Sequence, residues 1–214
     1  MAFTINPAIS ARNPDHQRHL EIRAKRVRDL GNRLRKILPD DEGITLEIGS
    51  GHGHFLTAYA AQHPETTCLG VDLVSRRIEK AEEKRAKRAL THLHFLKAEV
   101  TELLEAWPRG RLLERCFVLF PDPWPKKRHI KNRILQPLLL ETLAGFASPG
   151  ARLHFRSDHE RCFEWGLEQI DAHPRWTICG NASWPFEKPS YFQELAQSYR
   201  SLTAEVQPLP DGGG

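Results

Sequence analysis

Two loops and two isolated acids in this sequence have residue types and spacings that could do chemistry. The first loop is Leu46-Glu47-Ile48-Gly49-Ser50-Gly51-His52-Gly53-His54-Phe55. Glycines at alternate positions, Gly49, Gly51 and Gly53, let a backbone turn tightly and approach a ligand without Cβ obstruction. A nicotinamide-binding loop would need glycine at the sixth place of G-x-G-x-x-G counted from Gly49, and that place is His54. No Gly-Lys-Ser/Thr follows, which excludes a Walker phosphate loop as well. Asp72 closes Gly70-Val71-Asp72, 19 residues beyond Gly53. At the tip of the next strand, such an acid can accept hydrogen bonds from both ribose hydroxyls of a nucleoside. Capping the helix that follows is its other reading. Glu99 could accept from an adenine amino group, or equally well open a helix. Glu47 is expected to face the loop amides or the positive end of a cofactor.

The second loop is Leu119-Phe120-Pro121-Asp122-Pro123-Trp124-Pro125-Lys126-Lys127-Arg128-His129. Three prolines in five residues hold it extended and leave few free backbone donors. Asp122 is pinned between two of them, and Trp124 offers a face on which a base can stack. Lys126, Lys127, Arg128, Lys131 and Arg133 follow at once. An acid, an aromatic ring and a cationic cluster together fit nucleic-acid chemistry better than a plain surface loop.

Three blocks carry a family resemblance. Glu47-x-Gly49-x-Gly51-x-Gly53-x-Phe55-Leu56, Phe120-Pro121-Asp122-Pro123-Trp124-Pro125-Lys126-Lys127-Arg128-His129 and Leu153-His154-x-x-x-Asp158 resemble the tRNA (guanine-N7-)-methyltransferases, over residues 44–187. The resemblance implies methyl transfer from S-adenosylmethionine to N7 of a guanine in the tRNA variable loop, position 46 in tRNA numbering. It implies a cofactor site lined by Glu47, Gly49, Gly51, Gly53, Asp72, Glu99 and Asp122, with Asp122 also catalytic. Lys126 and Asp158 would contact the RNA, as would Phe186 and Glu187, which match the second half of the family's T-x-F-E motif. Three features depart from the pattern. Trp184 stands where the family has Thr, Asp72 where it usually has Glu, and Lys188-Pro189-Ser190-Tyr191-Phe192 replaces a Gly- and Arg-rich stretch. The same chemistry on another RNA or a small substrate is one alternative; a non-catalytic RNA-binding relative is the other.

Such loops need strand tips to hold them, and the chain supplies them. Short apolar runs predict strands at 44–48, 67–71, 93–96, 116–120 and 150–155. Helical spacing predicts helices at 54–62, 75–90, 100–107, 134–146 and 161–172. Strands alternating with helices argue for an α/β fold with an open, mostly parallel sheet, and the resemblance implies a Rossmann-like class I methyltransferase sheet with helices on both faces. Residues 1–40 read as a basic helical arm, ended by Pro39 and joined by a polar linker to a methyltransferase domain over 41–207. Residues 208–214 read as a disordered tail.

Composition agrees. The chain has 214 residues, 40% hydrophobic and 27% charged, a soluble globular profile. No apolar run approaches the roughly 18 residues of a membrane span, and no secretory signal is visible, so a cytoplasmic protein is expected; no protein partner is readable, and a monomer is the default. Four scattered cysteines read as free thiols. The pairs His52-x-His54 and His92-x-His94 have no Cys or acid at zinc spacing, so no metal is expected. The net charge of +4 hides a segregation: residues 12–36, 76–88 and 126–133 together carry 21 of the 31 Lys and Arg but 6 of the 27 acids. A local excess of +15 on a body of −11 suggests a polyanion-binding surface, and the resemblance implies that the polyanion is tRNA.

Overall fold

The computed structural model describes residues 14–40, 43–187 and 198–208. The stretch Lys188–Phe192 and the expected tail from residue 209 onward lie outside the described residues. Seven strands form one sheet in the order β3-β2-β1-β4-β5-β7-β6. They are β1 (Ile44–Ile48), β2 (Thr67–Asp72), β3 (Leu93–Lys97), β4 (Leu113–Leu119), β5 (Ala147–Ser157), β6 (Trp176–Ile178) and β7 (Arg200–Val206). The first five strands pair in parallel, and β7 runs antiparallel to both β5 and β6. The expected α/β sheet is therefore present. β6 and β7 are additions that the sequence reading lacked.

The helices are α1 (Pro14–Ile37), α2 (His54–Gln62), α3 (Ser75–Lys87), α4 (Val100–Glu105), α5 (Pro137–Phe146) and α6 (Glu160–Asp171). Period-two alternation along the strands divides the core between the two faces of the sheet. Ile44, Leu46 and Ile48 of β1 face α1, α4, α5 and α6, with Cys116 and Val118 of β4 beside them. Cys68, Phe95 and Phe117 face α2 and α3. On β1 that second face carries Thr45 and Glu47, both buried. Pro137 occupies the first turn of α5, which starts there rather than at 134, since the ring lacks the N–H an interior position needs.

The helix α1 joins the core through its last turns. Leu34 and Leu38 are 0% and 3% exposed and belong to the larger apolar cluster. Arg26 grips Glu102 of α4 with two nitrogens (2.9 and 2.5 Å), and Arg111 donates to the Leu38 carbonyl at 3.0 Å. Its upstream turns are largely exposed. Residues whose charges read as a loose arm thus hold a helix whose end is welded to the sheet.

Since Leu34 fills core space, Leu34→Ala should lower stability by about 2–5 kcal/mol. Urea unfolding followed by circular dichroism should show one transition at a lower midpoint. A midpoint equal to the wild type would mean that α1 unfolds independently of the sheet.

Candidate active site

Every loop singled out from the sequence leaves the carboxyl end of a parallel strand, so all lie along one edge of the sheet. β1 sits where the strand order reverses, paired to β2 on one side and β4 on the other. The loop after β1 is hung from β2, because the amides of Gly49 and Ser50 both donate to the Val71 carbonyl at 2.9 Å. All three glycines are left-handed, with φ of 77°, 54° and 69° at Gly49, Gly51 and Gly53. Their reasons differ. A Cβ on Gly53 would lie 2.7 Å from both Ala81 and Phe95, so this glycine lets α2 close on α3 and β3. Above Gly49 and Gly51 nothing lies within 4 Å of that position, and the backbone there is open to a ligand.

Beneath the loop Glu47 is 3% exposed. One carboxylate oxygen takes the Leu56 backbone N–H, and Oε2 has no partner among the described residues. Burial pushes its pKa up to about 8, with the charge of Asp72 adding to the effect. An unmatched carboxylate oxygen in a dry site is a receptor for a cation or a donor. Asp72, also buried, accepts from Gly51 N at 3.1 Å and Val74 N at 2.8 Å, and Arg77 reaches it at 3.4 Å. It therefore fixes the glycine loop and meets the start of α3, with lone-pair capacity left on Oδ1. Glu99 caps α4, accepting from Thr101 N at 2.9 Å and Glu102 N at 3.2 Å through Oε2 alone. Its helix-opening reading is satisfied while Oε1 remains outside the cap.

The loop after β4 is strained. Phe120 and Trp124 have φ of 50° and 42°, which non-glycine residues rarely adopt. They bracket Asp122, which is exposed and has no partner among the described residues. The Phe120 amide donates to the Arg156 carbonyl at 2.9 Å, and Arg133 donates to the Pro123 carbonyl at 3.0 Å. Arg133 also reaches the Arg161 carbonyl at 2.9 Å and lies over the Trp165 ring, 6% exposed. It is a strut for the loop rather than a member of the cationic surface. Lys126, Lys127, Arg128 and Lys131 stay exposed, as does Asp158 at the end of β5.

Sequence reasoning missed Arg156. Buried on β5, it binds both oxygens of Glu187 (2.9 and 2.5 Å) and Ser201 Oγ (2.8 Å). Its guanidinium lies 3.8 Å from the Trp184 ring centre and 4.9 Å from that of Tyr199, whose edge meets Phe120. Trp184 also packs against His154, which burial keeps neutral by lowering its pKa to about 3. Phe186 packs on Phe55 and Tyr59 of α2, both ring centres 5.6 Å away. The available signal was an arginine directly after the run Leu153-His154-Phe155, two residues before Asp158.

Comparison with known proteins places this geometry. The model of a family described as "Putative methyltransferase" matches residues 41–204. The tRNA (guanine-N(7)-)-methyltransferase of Synechococcus sp. strain WH7803 is 35% identical, over 80% of this chain and 80% of that one. The chain belongs to this family. The tRNA (guanine-N(7)-)-methyltransferase of Rhodospirillum rubrum is 36% identical over 77% of this chain, and the match spans 65% of that relative's length. The aminoglycoside resistance methyltransferase NpmB1 has the same fold, with a TM-score of 0.57, 15% identity and coverage of 82% of this chain and 93% of that one. So does the 16S rRNA methyltransferase KamB, with a TM-score of 0.56, 20% identity and coverage of 83% and 92%. In this methyltransferase family member, the block that carries the resemblance most specifically falls on the strained loop around Asp122.

The buried Glu47 gives a signed pH effect. Between the ordinary carboxyl value of 4.5 and about 8, the folded protein holds a proton on Glu47 that the unfolded chain has released. Folding takes up that proton, so this group's penalty on stability grows as pH rises through the window and levels off above it. At about 1.4 kcal/mol per unit of difference the effect is on the order of a few kcal/mol. Denaturant midpoints of the ligand-free protein should fall from pH 6 to pH 8, and Glu47→Gln should flatten that decline. An identical slope in the variant would assign the decline to other groups.

Proposed function

We propose that the protein transfers a methyl group from S-adenosylmethionine to N7 of a guanine in tRNA, position 46 of the variable loop. One observation carries the cofactor half of this reading: Glu47 offers a buried, unmatched carboxylate oxygen beneath an open glycine backbone. A sulfonium or ammonium group would pair with that oxygen and hold the carboxylate ionised. Asp72 would hold the ribose through its remaining lone pair, and the exposed Leu73 beside it offers an apolar surface to a purine. Glu99 Oε1 is the acceptor for an adenine amino group on the neighbouring strand tip. When bound, the cofactor supplies a methyl group activated on positive sulfur.

Guanine N7 carries a lone pair and no proton, so its attack needs no general base. The protein's work is alignment of nitrogen, methyl and sulfur in line. Asp122, held by prolines on a strained loop, would accept the guanine N1–H and amino protons and favour the positive base that forms. N7 lies in the deep groove of A-form RNA, so the target base has to be unpaired or drawn out. Lys126 would anchor a phosphate beside it, and Asp158 would meet the RNA on the next strand tip. Phe186 and Glu187 would frame the acceptor from the other side, held there by Tyr59 and Arg156. Among the described residues no helix is long and apolar enough to cross a membrane. A cytoplasmic monomer meets these needs.

Labelled S-adenosylmethionine with unmodified tRNA should yield N7-methylguanosine on nucleoside analysis. Asp122→Ala should slow transfer by roughly two orders of magnitude or more at saturating cofactor, with tRNA retention on filters little changed. Lys126→Ala should instead raise KM for tRNA with a smaller loss of kcat, because a phosphate contact mainly positions. A wild-type protein whose labelled product is another nucleoside would overturn the reading of the acceptor. Near-normal turnover by Asp122→Ala would overturn the role of that carboxylate.

A further inference from the structure

On the side of β1 away from Asp122, an open groove of about 520 Å³ runs between the glycine loop and α3. It is lined by His52 and His54 from the loop and by Arg76, Arg77, Lys80 and Lys84 from the helix. Among the described residues Val74 is the one other lining residue, so those residues give the groove four cationic side chains and no acid. The two walls are joined directly, because Lys84 donates to the His52 carbonyl at 2.8 Å. Burial lowers the pKa of Lys84, and the neighbouring cations Lys80 and Lys87 act in the same direction. Two opposite charges touch the cluster from outside: Asp72 meets Arg77 at 3.4 Å, and Glu83 holds Lys80 at 3.0 Å. The Lys80–Glu83 pair is half exposed and so is easily exchanged for a stronger anion. Arg76 has no partner among the described residues.

Two acids against four cations leave an excess of positive charge here among the described residues, and the cofactor reading uses only the Asp72 contact. We infer that the groove binds the phosphodiester backbone of the tRNA, as a second anchor separate from the Lys126 cluster. This rests on the proposal that tRNA is the substrate. The chemistry favours a backbone over a free nucleotide, because among the described residues no Phe, Tyr or Trp lines the groove to stack a base. It favours RNA over a flat acidic protein surface, because a row of cations along one helix face beside an open groove matches a chain of regularly spaced phosphates. The cofactor crevice then lies between two cationic anchors, one on the β2 side of β1 and one after β4. A strand of RNA fixed at both ends across the crevice presents the base between them.

The test measures tRNA affinity of the full chain by filter binding from about 50 to 300 mM KCl, for wild type, Arg76→Ala, Lys80→Ala and the double variant. Both positions are exposed on the helix, and alanine preserves helix propensity. Lys87→Ala, at the other end of α3 and outside the groove, controls for general charge. Each groove substitution should weaken binding about 3–10-fold at fixed salt and reduce the salt slope by about 1. Lys87→Ala should change it less than twofold, and calorimetry should show unchanged S-adenosylmethionine affinity. Equal losses in Lys87→Ala, unaltered tRNA binding in the groove variants, or a loss confined to cofactor affinity would each overturn the inference. The two readings fail separately. N7-methylguanosine formed with groove variants that bind normally removes only the groove. Groove-dependent binding without N7-methylguanosine removes only the acceptor.

Discussion

The site depends on a topological constraint at β1. Each side of this strand is paired to a parallel neighbour, β2 on one side and β4 on the other. Parallel pairing forbids a tight hairpin, so the chain must leave β1 over one face and return beside it after a helix. The connection to β2 runs one way and the sheet grows the other way from β4, so neither crossover covers the carboxyl end of β1. The glycine loop occupies that uncovered end, and its two amide bonds to Val71 fix it to β2. From this follow the burial of Glu47 one residue before the strand ends and the placing of Asp72 and Asp122 on opposite sides of it. Asp122 would not be near the loop if β4 paired with β3 instead, whereas Asp72 would stay, because β2 holds it there.

A second dependence runs through Arg156, and it is of a different kind. Its carbonyl holds the Phe120 amide, and its side chain holds Glu187 and Ser201 while stacking on Trp184 and Tyr199. One residue therefore ties the strained loop to the segment 184–187 and to the start of β7. A guanidinium taken this far from water needs several partners to offset its desolvation, and the fork geometry of arginine allows them at once. The departure at Trp184 belongs to the same cluster. A ring in place of a hydroxyl gives Arg156 a face to stack upon and closes the space against His154 and Phe117. The changed motif is thus packed onto Arg156 of β5, with its Glu still held.

Much of this was legible in sequence because the signals were local. Alternating apolar residues gave the five parallel strands, and the placing of Gly49, Gly51, Gly53 and Asp72 gave the crevice. Three things were hidden because they depend on partners distant in the chain. β6 is only three residues long, and β7 pairs with β5 some 45 residues away, so neither has a local signature. A charge count cannot tell which cations turn inward: Arg133 and Arg156 are buried struts, whereas Lys126 and Lys127 are exposed. Nor could it show that the charged helix α1 ends in the core, since Leu34 and Leu38 gain their burial from strands and from Trp107, not from neighbours in sequence.

The same segregation that looked like a simple excess of positive charge is resolved in space into opposite signs at short range. Asp72 places negative potential inside the crevice, where low dielectric makes it strong and water is scarce, and Glu47 would add its charge once a cation displaces its proton. Lysines and arginines crowd the rim, where water and salt weaken each of them but their number compensates. A positively charged ligand held inside and a polyanion held outside would otherwise compete for the same field. Burial separates them. The interior carboxylates are too deep to repel a phosphate chain at the rim, and the exposed cations are too well screened to expel a cation from beneath the glycine loop. Arg77 stands at the boundary, touching Asp72 on one side and lining the basic groove on the other. It is the point where the inner field of the crevice meets the outer field of the surface.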